Sequence, residues 1–212
     1  MRGGGRAALL TLHAALAQEG GTIADSLADR AWIASQPDTR GPSQLGSSGP
    51  RTRGRAAEYE LLLEMILEGS LLHYGRARVV RAEDPDLALL LGDQLYALGL
   101  SRLAALGDAR AVGELGDLIA LVAQAHVRGE PRLAEALWCA AAVAVGWGSH
   151  AELDLAKDRA RSQDPDAAAV LERAAASHRA NVWSGGGPGL GDANLCQAFD
   201  GSFNEPYKSP SG

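Results

Sequence analysis

Between Glu58 and Ala180 the chain is dominated by alanine and leucine, and its interruptions fall where helices start and stop. Asp84-Pro85 and Asp164-Pro165 each pair an N-cap carboxylate with a proline at the first helical position. Gly75, Gly107 and Gly129 follow apolar runs, where glycine ends helices. Ala and Leu are the strongest helix formers and β-branched residues are few, so strand pairing has little to build on. Aromatic residues make up only 5% of the chain. The core must therefore come from aliphatic helix–helix packing, and the expected fold is all-α, a bundle of about seven or eight helices.

The chain divides by composition. Residues 1–35 read as two helices. The first runs from Arg6 to Gln18, with Leu9, Leu12 and Leu16 at helical spacing and a stop at Gly20-Gly21. The second follows Thr22 as N-cap and runs from Ile23 to Ser35, with Ile23, Leu27, Ala31 and Ala34 on one face and Trp32 at its edge. Met1–Arg6 is basic, Ala7–Ala17 apolar, and the stretch closes on Ala15-Leu16-Ala17, the outline of a signal peptide. His13 interrupts that run, and the leucine spacing favours an amphipathic helix. Residues 36–54, dense in Gly, Pro and Ser, are expected to be a flexible linker.

Residues 55–183 are the expected bundle core. Its first helix, to Tyr74, should bury Tyr59, Leu62, Leu63, Ile66, Leu67 and Ser70, with Arg76, Arg78 and Arg81 near its C-terminal dipole. Pro131–Trp147 is apolar on every side and should be central. Residues 184–212 read as a disordered tail. The sharper reading makes that tail a docking segment anchored by Phe199, Phe203 and Tyr207.

A net charge of −6 and a pI of about 5.4 argue against nucleic acid as a partner. Cys139 and Cys196 are too few and too far apart for a zinc site or a disulfide framework, and Cys139 reads as a small core residue. No apolar run reaches the ~20 residues of a membrane span. A cytoplasmic location follows as the expectation, with peripheral membrane contact compatible with it. His13, His73, His126, His150 and His178 are scattered without metal-ligand spacing, and His73-Tyr74 at a helix end is the best placed of them. Gly185–Gly191 follows a helix and lacks the Gly-Lys-Ser/Thr of a phosphate loop.

Three stretches carry a family likeness. Leu91-Gly92-Asp93-Gln94-Leu95 places a Gly-Asp in a long apolar helix, His126-Val127-Arg128-Gly129-Glu130 ends the next one, and Trp138–Gly146 forms an alanine-rich third. In that order and spacing, the chain from about Glu58 to His150 resembles the trans-polyprenyl diphosphate synthases. The resemblance implies an isoprenoid-synthase-like helical bundle. It also implies an aspartate-rich Asp-Asp-x-x-Asp sequence with two following arginines, because a Mg²⁺ cluster must stabilise the departing diphosphate.

That sequence is missing. Counting back from the Gly-Asp, Glu64 and Glu68 stand where the first and last aspartates would be, with Met65 between them. The pair is a candidate for one metal ion, against the alternative of a solvated helix edge. No second aspartate-rich motif follows, and the lysines are Lys157 and Lys208, neither at a place that grips pyrophosphate. The departures are similar to the small, non-catalytic subunit of two-subunit long-chain synthases, which supply quinone side chains. The expectation is then a helical subunit that supports a catalytic partner, has no cofactor of its own, and meets Mg²⁺ only through that partner. Leu95, Tyr96, Leu98 and Leu103 would lie at the interface, and a cleft between small side chains could take an isoprenoid chain. A helical adaptor docking through its aromatic tail is the alternative. A divergent enzyme using Glu64, Glu68 and Asp93 for Mg²⁺ is the third reading.

Overall fold

The computed structural model describes residues 4–183 and Phe203. Among the described residues there are ten α-helices: α1 (Gly5–Glu19), α2 (Gly21–Asp25), α3 (Arg30–Ser35), α4 (Pro42–Ser47), α5 (Ala56–Tyr74), α6 (Pro85–Ala105), α7 (Ala109–Val127), α8 (Pro131–Trp147), α9 (Ala151–Arg161) and α10 (Ala167–Trp183). A short 3₁₀ turn, Arg53–Arg55, precedes α5. The all-α expectation holds, with more and shorter helices at the N-terminal end than the periodicity suggests.

From α5 to α9 the punctuation largely acts as expected, whereas Asp164-Pro165 forms a turn, Asp164 accepting from the Asp166 N–H at 2.9 Å, and α10 starts only at Ala167. Asp84 accepts a hydrogen bond from the Asp86 N–H at 2.9 Å to start α6, and Asp108 accepts from the Ala111 N–H at 3.1 Å to start α7. Gly107 and Gly129, at φ 80° and 71°, take the left-handed turns that end these helices. His150 caps α9 through its ring, Nδ1 accepting the Leu153 N–H at 3.1 Å.

Helix α5 lies between two apolar cores. Met65 and Leu72 face the first, with Leu9, Leu12 and Leu16 of α1, Ile23, Ile33, Val79, Val80, Leu91 and Leu95. Tyr59, Leu62, Leu63, Ile66, Leu67 and Leu71 face the second, with α4, α7, α8, α9 and α10. Helix α8 is the centre of that second core. Its sequence is apolar all round, and it is buried from Leu133 to Trp147 except for Glu135. Each fully buried Leu or Val contributes about 1.5–3 kcal/mol.

Three expectations need correction. The linker is the first. Residues 42–47 are all buried, and Thr52 is fully enclosed, donating to the Gly46 carbonyl at 2.8 Å. The glycines explain this. A Cβ on Gly49 would fall 2.1 Å from the Gly146 carbonyl oxygen, and one on Gly146 would fall 2.5 Å from that of Gly46. Bare backbone meets bare backbone there, so a segment that looks like a loop crosses α8 at the closest possible approach. Arg51 fixes the crossing, its N–H donating to the Gly146 carbonyl at 3.0 Å and its guanidinium to the Val145 carbonyl at 2.6 Å.

The second expected helix is the next. It splits into α2 and α3 because residues 26–28 leave the helix and bond to residues 79–81 around an antiparallel bridge between Leu27 and Val80. The Ala28 N–H donates to the Val79 carbonyl at 2.9 Å, and the Arg81 N–H to the Ser26 carbonyl at 2.7 Å. Ala31 and Ala34, expected inside, are exposed, and Ala28 and Ile33 take their place. The third is Cys139, which is buried in α8 as expected but has its sulfur in a disulfide.

Candidate functional site

Glu64 and Glu68 stand one turn apart on α5, as their spacing requires, but neither lies on a solvated edge. They are 1% and 0% exposed. Glu64 accepts from the Ser43 hydroxyl at 2.5 Å, the Gln44 amide at 3.2 Å and Arg78 Nη2 at 2.6 Å. Glu68 Oε1 accepts three successive backbone N–H groups, of Arg78, Val79 and Val80, at 2.7, 2.6 and 2.9 Å. Its other oxygen lies 3.6 Å from Arg78 Nε.

Burial pushes the Glu68 carboxyl up from its ordinary range, while Arg78 and the three N–H donors pull it down. Against burial, the two carboxylates hold the Arg78 guanidinium above its usual value. Arg78 was expected at the helix dipole; it instead stands where a cation between the two glutamates would stand. Ser43 and Gln44, inside the supposed linker, complete the shell. No grouping of three or more metal-ligating side chains suited to a metal ion occurs among the described residues.

Lys157 is also committed, donating to Glu114 at 2.9 Å and lying 3.0 Å from Asp154. Asp108 accepts from Tyr59 at 2.8 Å and from Arg51 at 3.1 Å. Burial and that bond to Asp108 push the Tyr59 phenol up to about 12.

The Gly-Asp of α6 has a packing role. A Cβ on Gly92 would sit 2.7 Å from the His73 ring, so glycine lets that imidazole lie flat against α6. Asp93 Oδ1 then stands 3.1 Å from His73 Nε2, off the line a hydrogen bond needs. Gly69 and Gly99 bring α5 and α6 together along the same seam, Gly99 facing Ile66. The small residues of this seam serve close helix packing.

His73 belongs to a ring array. It stacks on Tyr96 of α6 with centroids 5.2 Å apart and planes 8° from parallel, and it lies 5.4 Å from Tyr74. Tyr74 stacks on His126 of α7 at 4.5 Å and 9°. Phe203, 4% exposed, leans on His126 at 5.2 Å and 54°. Burial raises the Tyr96 and Tyr74 phenols and lowers the His126 imidazole. Of these residues the sequence singles out His73, Tyr74, Tyr96 and Phe203. His126 was missed as a member, because helices α5 and α7 must be folded before it meets Tyr74.

The expected interface residues divide. Leu95 and Leu103 are 0% exposed within the chain itself, so they cannot serve an interface without unpacking. Tyr96 and Leu98 are half-buried. The outward side of α6 is Leu90, Gln94, Ala97, Ser101 and Ala104, all exposed and uncharged, with Leu89 beside them. Phe203 packs on its own chain, which removes it from the free tail anchors; Phe199 and Tyr207 lie outside the described residues. No described helix is long and apolar enough to cross a membrane.

Comparison with protein-family models, with curated proteins and with solved structures finds no match to this chain.

Proposed function

We propose that this chain is a non-catalytic helical subunit that binds a protein partner through the outer side of α6. The observation that carries the reading is the mismatch between that helix and its surroundings. Its apolar residues run around the whole circumference, yet only Ala88, Leu91, Gly92, Leu95, Gly99 and Leu103 are buried. Leu90 is 67% exposed and Leu89 45%. Leu90, Gln94, Ala97, Ser101 and Ala104 recur at alternating intervals of four and three, the seam spacing of one helix packed on another. Leu90 on this stripe and Leu89 beside it are exposed apolar side chains suited to a partner helix, with the exposed carboxylates Asp86 and Asp93 at its margin.

The partner we infer is a catalytic polyprenyl diphosphate synthase. The order of the Gly-Asp, Gly-Glu and alanine-rich stretches supports this identity. Two features support the lack of autonomous catalysis: the missing aspartate motifs, and the occupation of Glu64 and Glu68 by Arg78. The adaptor reading loses ground because one of its three tail anchors is already buried at home.

The test is co-purification from the native host, then prenyl-transfer assays on the chain alone and with what co-purifies. The expected result is elongation only in the mixture, lost in Leu90→Asp/Ala97→Glu while the variant keeps its helical circular dichroism. Co-purification that survives those changes would refute the α6 interface. A partner with no prenyl-transfer activity would refute the synthase identity.

A further inference from the structure

The outer side of α6 changes size along its length. Leu90 stands toward its N-terminal end, and Ala97, Ser101 and Ala104 follow toward its C-terminal end, all exposed. A gradient from large to small fits a copy of itself turned end for end. With a two-fold axis at Ala97, each Leu90 falls opposite Ala104 of the second copy, since both lie the same distance along the helix from the axis. Gln94 and Ser101 come level in the same way, and an amide and a hydroxyl can exchange a hydrogen bond there. The two Ala97 methyls meet on the axis, where small side chains let helices approach closely.

Charge selects the direction. Asp86 is exposed at the start of α6, and Arg110 is exposed just beyond its end, in the first turn of α7. Antiparallel copies bring each Asp86 to the end where Arg110 of the other copy stands. Parallel copies would set Asp86 against Asp86 and Leu90 against Leu90, and would leave a gap along the small residues. The remaining carboxylate is Asp93, whose side chain is 72% exposed. The two copies of it would stand about 12 Å apart along the axis, beyond the ~8 Å screening length of physiological salt.

We propose that the outer side of α6 binds a second copy of this chain, antiparallel about Ala97, and that this homodimer occupies the side until another partner displaces it. The proposal rests on the reading of that side as an interface, and not on the identity assigned to its partner. One helix from each chain makes a contact at the small end of specific interfaces, so the dimer is weak and exchangeable.

Sedimentation equilibrium of the purified full-length chain tests it. The weight-average mass should rise from the 22.0 kDa of one chain toward twice that value as the concentration increases from about 5 to 500 µM, the range that suits a small interface. Leu90→Asp/Ala97→Glu should keep the mass of one chain throughout. Asp86→Lys should weaken the dimer at least about threefold, and Asp86→Lys/Arg110→Asp should recover it, because the exchanged charges again face each other. A co-purifying partner, added in excess, should dissolve the homodimer.

A chain that stays monomeric at the highest concentration overturns the proposal. A dimer that survives Leu90→Asp/Ala97→Glu lies on another face and overturns it as well. A dimer indifferent to Asp86→Lys overturns the antiparallel register. A partner complex that retains two paired copies overturns the shared use of the side. The charge variants lie at the exposed ends of the stripe, so they carry the test should Leu90→Asp/Ala97→Glu fail to fold. The synthase reading fails separately. A dimer that behaves as expected while no synthase co-purifies supports this proposal and refutes that reading, and a monomer that co-purifies a synthase does the reverse.

Discussion

Arg78 is the side chain on which the N-terminal half most depends. Methionine in its place keeps the aliphatic stem and removes the charge. Glu64 and Glu68, 1% and 0% exposed, would be left as two buried carboxyls without a cation. Removing one partner of a buried ion pair costs about 3–5 kcal/mol. The lower end applies, because the Arg78 side chain is 24% exposed and water can reach the vacated space. Against a total stability of about 5–15 kcal/mol this is a large fraction. With a urea m-value of about 3 kcal/mol/M, the midpoint should move down by about 1 M at pH 7 with m unchanged.

Two controls separate this mechanism from simple loss of packing. Without Arg78 the Glu68 carboxyl rises further above its ordinary range. An acid whose folded pKa is raised contributes most below its unfolded pKa and loses that contribution as pH rises. The gap between wild type and Arg78→Met should therefore narrow as pH falls from 7 toward 5. The triple variant Arg78→Met/Glu64→Leu/Glu68→Gln removes all three charges and keeps an oxygen for the N–H groups of Arg78, Val79 and Val80. It should recover to within about 1 kcal/mol of wild type. A midpoint shift below about 0.3 M, or a gap that does not depend on pH, would show that the network is not what stabilises this region.

Other outcomes follow from single features. Gly49→Ala forces a methyl onto the Gly146 backbone and should cost about 3 kcal/mol in urea unfolding, at the top of the usual overpacking range. His150→Ala removes the α9 cap and should cost about 1 kcal/mol, whereas His150→Asn should restore most of it. His126 is held neutral by burial, so its contribution is complete above pH 6.5 and is lost as pH falls through its lowered folded value. Chemical denaturation between pH 8 and 5 should show a decline in wild type that His126→Leu lacks.

How far the sequence discloses this molecule depends on how local each signal is. Helices α5 to α10 are legible because Asp-Pro pairs, terminal glycines and a 3.6-residue apolar period act within a few residues of where they stand. Residues 42–52 mislead because their glycines are read as freedom, whereas both, Gly46 and Gly49, mark contacts with α5 and α8, far along the chain. Residues 26–28 leave the helix for a partner at 79–81, which no local pattern announces. The spacing of Glu64 and Glu68 correctly places two carboxylates on one side of α5. Their chemistry is decided by Arg78 and Ser43, which reach them through the tertiary fold.

Gly49 and Gly146 share a property as a pair. Most crowded positions can drift in pairs, one side chain shrinking as its neighbour grows. Here each residue is already the smallest available, and the obstacle to a larger one is backbone. No second substitution can make room for a first. In an exhaustive mutational scan these two positions, one of them in a stretch that reads as filler, should tolerate fewer replacements than the leucines of the core, and double variants should recover nothing, whereas Gly46→Ala, which meets the Leu63 side chain, should be eased by a smaller residue at 63.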